Sequence, residues 1–305
     1  MYRKIIIALL ITLSTVGSKA QLKEFALTED WIRKIEQLSP AKAEVKPQKH
    51  RKVLVFSLFT GFNHWVIPHT NAVMKVLGEK TGAFEVEVST DIYKFEKKSL
   101  KKYDAVVLNS TCSVGPRRDL LLDVLDKDQT LTEDQKKKKA AELETSLINY
   151  VHEGGGLMVL HGAIVMQNNS NEFSEMVGGS FDYHPAQQEI TLELAEPDHP
   201  LLKAFEGKPF VHIDEPYIFN NAYAKKNFRP LLYMETSKLT KKTKEFDENI
   251  KYVSWIKKYG KGRVFYVSPS HNAQSFEDAR LLKYFLDGTQ YVLGDLKCDD
   301  SVVKY

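Results

Sequence analysis

Three histidines lie in the short segments that follow apolar runs with the length and composition of buried strands. They are His64, after residues 52–59; His161, after residues 157–160; and His271, after residues 262–268. Ligands of open α/β sheets bind outside the carboxyl ends of the strands, so we expect these side chains to share one pocket. Several imidazoles in one pocket could hold a divalent metal or work as a metal-free acid/base group.

His184 and two adjacent acids extend this set. His184 lies in GSFDYHP, beyond a short predicted helix, and the acids Asp214 and Glu215 lie in HIDEPY. None of these residues has a local spacing, such as H-E-x-x-H, that by itself defines a metal site. The spacing therefore leaves both a metal centre and metal-free acid/base chemistry open.

His161 stands at a turn that often carries a nucleophile. The segment GGGLMVLHGA (154–163) has the pattern of a helix end, a buried strand and a sharp turn. Many α/β hydrolases and amidotransferases hold a serine or cysteine at such a turn. The two cysteines of the chain, Cys112 and Cys298, lie elsewhere, and one disulfide between them is compatible with an oxidising compartment.

Residues 1–20 have the features of a secretory signal peptide. A basic start precedes an apolar run that is too short to span a bilayer, and Ser18-Lys19-Ala20 has the small-x-small pattern of a cleavage site. We therefore expect cleavage after Ala20, a mature chain from Gln21, a periplasmic or secreted location and no membrane insertion.

The charge of the mature chain argues against polyanionic partners. Without the three basic residues of the signal peptide, 40 Lys and Arg face 40 Asp and Glu. A neutral chain without a long basic patch does not favour nucleic acid or an anionic membrane surface. The KKKK run at 136–139 is typical of a solvated helix face. We expect a small neutral molecule as the partner.

The chain is predicted to contain an N-terminal helix and linker in residues 21–50, one α/β domain in 51–295 and a tail in 296–305. The helix shows apolar spacing over 25–39, with Thr28 as its N-cap. Strands are predicted at 52–59, 84–90, 103–111, 157–160, 188–195, 210–219, 229–236, 251–259 and 262–270. Helices are predicted after Pro68, over Thr132–His152 and over about Glu277–Leu286. The later strands mix alternation with apolar runs, which favours antiparallel additions to a parallel sheet.

Six segments resemble, in this order, those of the ThuA-like, or trehalose-utilisation, family. They are GFNH (61–64), GGGLMVLHGA (154–163), VGGSFDYHP (177–185), DHPL (198–201), DEPY (214–217) and GKGRVFYVSPSH (260–271). The resemblance extends from about Lys52 to Leu293. It implies an α/β, class I glutamine-amidotransferase-like fold: a flavodoxin-like, doubly wound, mostly parallel sheet with added antiparallel strands. It also implies a role in the metabolism of disaccharides and keto-sugars.

The family pattern carries over to His64, His161, His184, Glu215 and His271. A working amidotransferase would carry its cysteine nucleophile at the position of His161, so the thioester route is lost and glutamine amidotransfer is not expected. One departure is Pro269-Ser270, which replaces the glycine or leucine-glycine that usually precedes the last histidine.

The expected activity is the removal of a proton beside the carbonyl of a keto-sugar or keto-glycoside, leading to isomerisation, epimerisation or elimination. The predicted catalytic residues are His161, Glu215 and His271, with Glu215 or His161 as the base. The predicted ligands of a divalent metal, Zn or Mn, are His64, His184 and His271. The predicted substrate-binding residues are Tyr217, Trp255 and Asn63, the two aromatic ones by stacking on a sugar face. No nucleotide cofactor is expected.

A non-catalytic carbohydrate-binding domain on a degenerate amidotransferase-like fold is the alternative. A binder needs aromatic platforms and amides more than it needs four histidines and an acid. Hydrolysis of an unmodified glycoside by paired carboxylates is disfavoured, because Asp214 and Glu215 would point to opposite faces of a strand.

Overall fold

The computed structural model describes residues 22–303. The predicted signal peptide and the predicted mature start at Gln21 lie outside the described residues. Within residues 22–303, no helix is long and apolar enough to cross a membrane.

The N-terminal segment packs on the α/β domain through a short helix, α1 (Glu29–Leu38). Its N-cap is Thr28, as predicted, because the threonine side chain accepts a hydrogen bond from the backbone N–H of Trp31. Trp31 and Ile35 are the buried residues of α1, which lies against α2 (Ile67–Thr81).

The first half of the central sheet is parallel. Its strands are β1 (Lys52–Phe56), β2 (Glu85–Ser89), β3 (Ala105–Asn109), β4 (Gly156–Leu160) and β11 (Gly262–Val267). Their spatial order is β2-β1-β3-β4-β11, which is the flavodoxin-like order 2-1-3-4-5 with the last strand of the chain in the fifth place. All residues of β3 and β4 are buried, as expected of strands covered on both faces.

Antiparallel strands extend this sheet beyond β11. They are β10 (Ile250–Tyr259), β9 (Arg229–Glu235), β6 (Gln188–Leu194) and β7 (Phe210–Asp214), in that spatial order. Since each of these pairings is antiparallel, β7 runs in the same direction as β11 and ends at the same edge of the sheet. The predicted α/β fold with antiparallel additions is therefore confirmed.

Helices cover the two faces of the sheet. Besides α1 and α2 they are α3 (Lys97–Leu100), α4 (Leu120–Leu125), α5 (Glu133–His152), α6 (Asn171–Val177) and α7 (Ala279–Val292). The long helix α5 begins with a capping box in which Thr132 and Gln135 exchange side-chain to backbone hydrogen bonds. Helices α2 and α7 contact each other, and α5 contacts α3, α4 and α6.

The predicted strand at 210–219 is wrong, because two strands occupy this segment. The first, β7, ends at Asp214; the second, β8 (Ile218–Asn220), pairs with β5 (Ser180–Tyr183) in a separate two-stranded sheet. The backbone N–H of Glu215 bonds to the Asp214 side chain instead of a neighbouring strand, and Pro216 has no N–H to offer. Both interruptions end the ladder, and Glu215 leaves the strand at the edge where the histidines lie.

The last helix differs from the sequence-based expectation, because it starts later than predicted, at Ala279, and continues to Val292. The sequence left a disulfide between Cys112 and Cys298 open, and both are free thiols in the structure.

Candidate functional site

The residues of the site follow the ends of four strands of the sheet. His64 follows β1, His161 follows β4 directly, His271 follows β11, and Glu215 follows β7. Because these strands run in one direction, their carboxyl ends meet at one edge, as ligand sites of open α/β sheets require. The side chains of His64, His161, Glu215 and His271 each offer a donor atom within 4.8 Å of the others.

His161 occupies the sharp turn that its sequence context predicts. Its φ is +47°, in the left-handed region that non-glycine residues rarely adopt. The side chain is fully buried, and its Nδ1 donates a proton to the carbonyl oxygen of Ser268 at 2.9 Å. A carbonyl oxygen can only accept, so the neutral ring has its lone pair on Nε2.

The Nε2 atom of His161 meets two other groups that can also act as acceptors. It lies 3.3 Å from Oε2 of Glu215 and 3.1 Å from Nδ1 of His271. The same Glu215 oxygen lies 3.2 Å from Nδ1 of His271. Three atoms with lone pairs in such a triangle repel one another unless a proton or a cation lies among them.

A buried carboxylate holds the backbone of this triangle in place. Asp214 is 1% exposed, and its side chain accepts the backbone N–H of Glu215 at 2.7 Å and that of His271 at 3.3 Å. Nδ1 of the buried His212 lies 3.5 Å from Oδ2 of Asp214, the oxygen that accepts the N–H of His271. Asp214 thus joins the end of β7 to the loop after β11. This contact keeps His271 in the cluster although Pro269-Ser270 departs from the usual family sequence.

His64 reaches the cluster because residue 162 has no side chain. A Cβ atom on Gly162 would lie 2.4 Å from Cε1 and 2.9 Å from Nε2 of the His64 ring. The His64 ring is 2% exposed, and its Nδ1 has no hydrogen-bond partner among the described residues. A buried nitrogen without a partner is costly, which is typical of a site that a ligand completes.

The electrostatics of the cluster favour a carboxylate anion and a neutral His64. Burial raises the pKa of Glu215, but hydrogen bonds with His161 and His271 lower this pKa by more, to well below its ordinary value. Burial lowers the pKa of His64 well below its usual value, and the positive forms of His161 and His271 lower it further. Burial also lowers the pKa of His271, but the hydrogen bond with Glu215 and the negative charges of Glu215 and Asp214 together outweigh burial and raise it.

The donor set fits a divalent metal ion. Three imidazoles and one carboxylate are ligands that suit zinc and similar ions. In a tetrahedral site with bonds of about 2.0–2.1 Å, neighbouring ligand atoms are about 3.3 Å apart, close to the 3.1–3.3 Å separations of the triangle. The hydrogen bond from His161 to Ser268 fixes the ring in the way that partners of metal-bound histidines do.

A cleft of about 220 Å³ opens onto this cluster. Its lining residues are Phe62, His64, Cys112, Arg118, Val165, Phe181, His184, Glu215 and Tyr217. Tyr217 packs between two rings of the site, 4.2 Å from His161 and 5.4 Å from His184 by ring centroids. His161 and His271 lie behind the lining, so His64 and Glu215 are the members of the cluster that face the cleft.

His184 lies on the wall of the cleft, beside the cluster. Its Nε2 is 3.8 Å from Oε2 of Glu215, and its Nδ1 donates to the carbonyl oxygen of Pro185 at 2.9 Å. The imidazole is about one third exposed. In place of this predicted ligand, the structure brings His161 and Glu215 to His64 and His271.

Of the three residues predicted to bind substrate, only Tyr217 lines the cleft. Trp255 is fully buried in the core, where its Nε1 donates to the carbonyl oxygen of Val177 and its ring stacks on Phe228. The stacking role predicted for Trp255 is therefore wrong, because neither face of its ring meets solvent. Asn63 is exposed and does not contribute to the lining, whereas Tyr217 does.

Phe62 and Arg118 line the cleft and are not among the residues that the sequence predicts for the site. Phe62 is 59% exposed at the mouth of the cleft, and its ring lies 4.8 Å from that of His64. It belongs to the GFNH segment, so the exposed aromatic residue beside a site histidine was a signal that could have found it. Arg118 lies in the loop after β3, where its guanidinium donates to the carbonyl oxygen of Ser113 at 2.7 Å. The sequence of this loop holds no comparable signal.

Solved structures with the same fold include proteins of similar size. The chain is similar to a ThuA-like protein from Bacteroides uniformis, with 17% identity and a TM-score of 0.60 over 82% of this chain and 94% of that one. A ThuA-like protein from Parabacteroides merdae has 19% identity and a TM-score of 0.56 over 82% and 92% of the two chains. A cytoplasmic protein from Salmonella typhimurium has 14% identity and a TM-score of 0.53 over 79% and 98%. At these identities the likeness concerns the fold alone.

The family assignment rests on a sequence model. No curated protein matches this sequence closely. The model of the ThuA family, described as trehalose utilisation, matches residues 52–292, which include every residue of the site described above. The chain therefore belongs to the ThuA family, a family of sugar metabolism.

Proposed function

We propose that this protein binds a keto-sugar or keto-glycoside in the cleft and removes the proton from the carbon beside its carbonyl group. The observation that carries the proposal is the Glu215 carboxylate, which lies on the cleft wall and is held from behind by His161 and His271 at 3.3 and 3.2 Å. A fixed, desolvated arrangement of charges of this kind is suited to a reaction in which charge develops on a substrate oxygen.

The size and lining of the cleft support a sugar as the substrate. A volume of about 220 Å³ is below the usual range for sites of drug-sized ligands and suits one ring of a sugar. Phe62, Phe181 and Tyr217 offer aromatic surface, and Arg118 and the histidines offer hydrogen-bond donors. Aromatic faces together with a few polar groups are typical of a site that binds a polar ring.

We assign the proton acceptor to His184. Burial raises the pKa of the Cys112 thiol, and burial together with Glu215 raises the pKa of Tyr217, so both groups keep their protons at neutral pH. Arg118 is always charged. The Nδ1 proton of His184 is engaged with Pro185, which leaves Nε2 free to accept a proton, and Glu215 lies close enough to stabilise the resulting imidazolium.

This assignment differs from the sequence-based expectation, which made His184 a metal ligand and Glu215 or His161 the base. The reason is position, because His161 is fully buried and Glu215 is hydrogen-bonded on the side away from the cleft. The role of His161 and Glu215 in this proposal is electrostatic: His161 fixes the Glu215 carboxylate, and the carboxylate stabilises positive charge in the site.

The reaction balances with these groups alone. The C–H electron pair moves into the bond to the carbonyl carbon, the carbonyl oxygen takes the negative charge, and the proton goes to Nε2 of His184. Return of that proton to the opposite face of the same carbon gives epimerisation. Its return to the former carbonyl carbon gives isomerisation, when the proton of the adjacent hydroxyl passes to the enolate oxygen. Its transfer to a departing glycosidic oxygen on the next carbon, as the carbonyl re-forms, gives elimination. His64, His161, Glu215 and His271 would hold a divalent ion, which as a Lewis acid would stabilise the negative oxygen.

We also propose that the protein works in the periplasm or is secreted, on the basis of residues 1–20. The test is N-terminal sequencing of the protein recovered from a cell fraction outside the cytoplasm. A start at Gln21 supports export, and an intact Met1 in the cytoplasm rules it out.

The reaction is tested by incubating the purified protein with a set of ring-oxidised glucosides and following the products by NMR, with and without added Zn²⁺ or Mn²⁺. The proposal expects isomerised, epimerised or eliminated product from the wild type and about a 100-fold lower rate from His184→Ala. Exposed His50 provides the matched control, and His50→Ala should keep the wild-type rate. Tight binding without any product would make the protein a binder and overturn the proposal.

A further inference from the structure

Residues 22–28 precede α1 and lie outside the part of the chain that the family model matches. They run across the loops that carry the site residues. We propose that this segment, the N-terminal strap, works together with Gln187 to position the loops of His184 and His271. The inference concerns the site itself and does not depend on which reaction the site performs.

Gln187 connects the strap to both loops. Its Oε1 accepts the backbone N–H of Leu22 at 3.1 Å, and its Nε2 donates to Oδ1 of Asn272 at 3.3 Å. Asn272 in turn donates from Nδ2 to the carbonyl oxygen of Ile213 at 2.8 Å. Asn272 follows His271, Gln187 lies shortly after His184, and Ile213 lies near the end of β7. One chain of hydrogen bonds therefore joins the strap to the segments that carry three site residues.

A second contact fixes the strap against the segment after β11. The carbonyl oxygen of Lys23 accepts a hydrogen bond from Nε2 of Gln274 at 2.8 Å. Gln274 lies three residues after His271 in the sequence, so Lys23 bonds directly to the segment after His271, whereas Leu22 reaches that segment through Gln187.

Aromatic packing holds the other end of the strap near His64. The ring of Phe25 lies 5.4 Å from that of Trp65 and 5.0 Å from that of His69, by centroids. Trp65 is the neighbour of His64 in the chain. Trp31 of α1 packs on His69 at 4.8 Å and donates from Nε1 to Glu277. Helix α1 therefore anchors the strap, and the strap reaches the loops of three histidines.

We expect the strap to reduce the local opening of the loops that carry the site residues. Chain ends are normally mobile unless contacts hold them, and loops open locally with free energies far below that of global unfolding. A site that holds acceptor atoms about 3 Å apart needs loops that open rarely. Gln187 and the strap are thus positioning elements and make no contact with the reacting atoms.

The test compares two glutamines that both hold the N-terminal segment to the domain. Gln187→Ala removes the contact at the site. Gln290 lies on α7 and bonds to the backbone of Val45 in the linker, and Gln290→Ala removes that contact. Amide hydrogen exchange is measured by mass spectrometry on the whole mature chain, with Phe25→Ala as a second variant of the strap.

We expect exchange in residues 184–188 and 269–274 to become about tenfold faster in Gln187→Ala, as the loss of one or two hydrogen bonds would produce. Phe25→Ala should speed exchange in the loop around His64. Gln290→Ala should leave all three loops unchanged. Equal exchange of these loops in wild type, Gln187→Ala and Phe25→Ala overturns the inference, as does equal loosening by Gln290→Ala.

A second readout is the affinity for Zn²⁺ alone, measured by calorimetry. Gln187→Ala should weaken it about tenfold, within the range found for residues that orient metal ligands, and Gln290→Ala should not change it. An unchanged affinity in a variant with faster exchange would contradict a positioning role. Neither readout uses turnover, so failure of the proposed reaction would leave the exchange result standing.

Discussion

Nε2 of His161 lies 3.3 Å from Oε2 of Glu215, across the space between β4 and β7. This contact explains why a histidine occupies a turn that elsewhere carries a nucleophile. With a φ of +47° and no exposed surface, His161 has no access to a substrate carbonyl, but it is well placed to hold a carboxylate or a metal ion from behind.

Replacement of His161 should abolish activity and leave the fold intact. His161→Ala removes one of the two groups that hold Glu215 and leaves the carbonyl oxygen of Ser268 without its partner. We expect at least about a 100-fold loss of turnover and a loss of about 1–3 kcal/mol in the free energy of unfolding. Rate measurements and urea unfolding check the two effects. Undiminished turnover would rule out the role assigned to His161.

The need for glycine at position 162 should come from the neighbouring His64 ring. A methyl group there would overlap Cε1 of His64, so Gly162→Ala should lower the free energy of unfolding by about 1–3 kcal/mol. In a His64→Ala background the same substitution should cost much less, because the overlapping ring is gone. Urea unfolding of the four proteins of this double-mutant cycle measures the coupling. Equal costs in both backgrounds would show that the ring does not set the need for glycine.

The sequence predicts the positions of the site histidines better than that of Glu215. Strand-end placement of His64, His161 and His271 followed from apolar runs and the known position of ligand sites in α/β sheets. The contribution of Glu215 depended on the break after Asp214, where a side chain takes the backbone N–H, and strand periodicity does not record such a break. Trp255 was misplaced because an aromatic residue in a strand has the same pattern whether its ring faces a cleft or the core.

In the metal-free protein, the Glu215–His271 pair should add to the free energy of unfolding mainly within a limited range of pH. Burial raises the pKa of Glu215, but its histidine partners lower it by more, so its contribution is complete above about pH 4.3 and is lost as the pH falls through the folded pKa. Burial lowers the pKa of His271, but Glu215 together with the other nearby carboxylates raises it by more. The contribution of His271 is therefore complete below about pH 6.5 and is lost as the pH rises through its folded pKa.

The destabilisation caused by Glu215→Gln should therefore be largest between about pH 4.3 and 6.5 and smaller on either side. Urea unfolding of wild type and variant, in the presence of a chelator, at about pH 3, 5.5 and 9 gives this difference. A destabilisation that is the same at all three values would show that the two groups are not paired in the folded protein.

Metal content should depend on the four donors of the cluster. We expect elemental analysis to find about one zinc or manganese ion per chain, and a chelator to lower the melting temperature. His64→Ala should lose both the ion and the chelator effect, because His64 is a donor of the set, while His50→Ala should keep them. Metal that persists in His64→Ala would place its site elsewhere.

The central claim, proton abstraction at the carbon beside a carbonyl, is tested most directly by exchange with solvent. A ring-oxidised glucoside is incubated in D₂O with wild type and with His184→Ala, with and without Zn²⁺ or Mn²⁺, and its C–H signals are followed by NMR. The account predicts that deuterium enters at the carbon next to the carbonyl with wild type, and far more slowly with His184→Ala. A sugar that binds in the cleft and keeps all of its C–H signals under every condition would contradict the account.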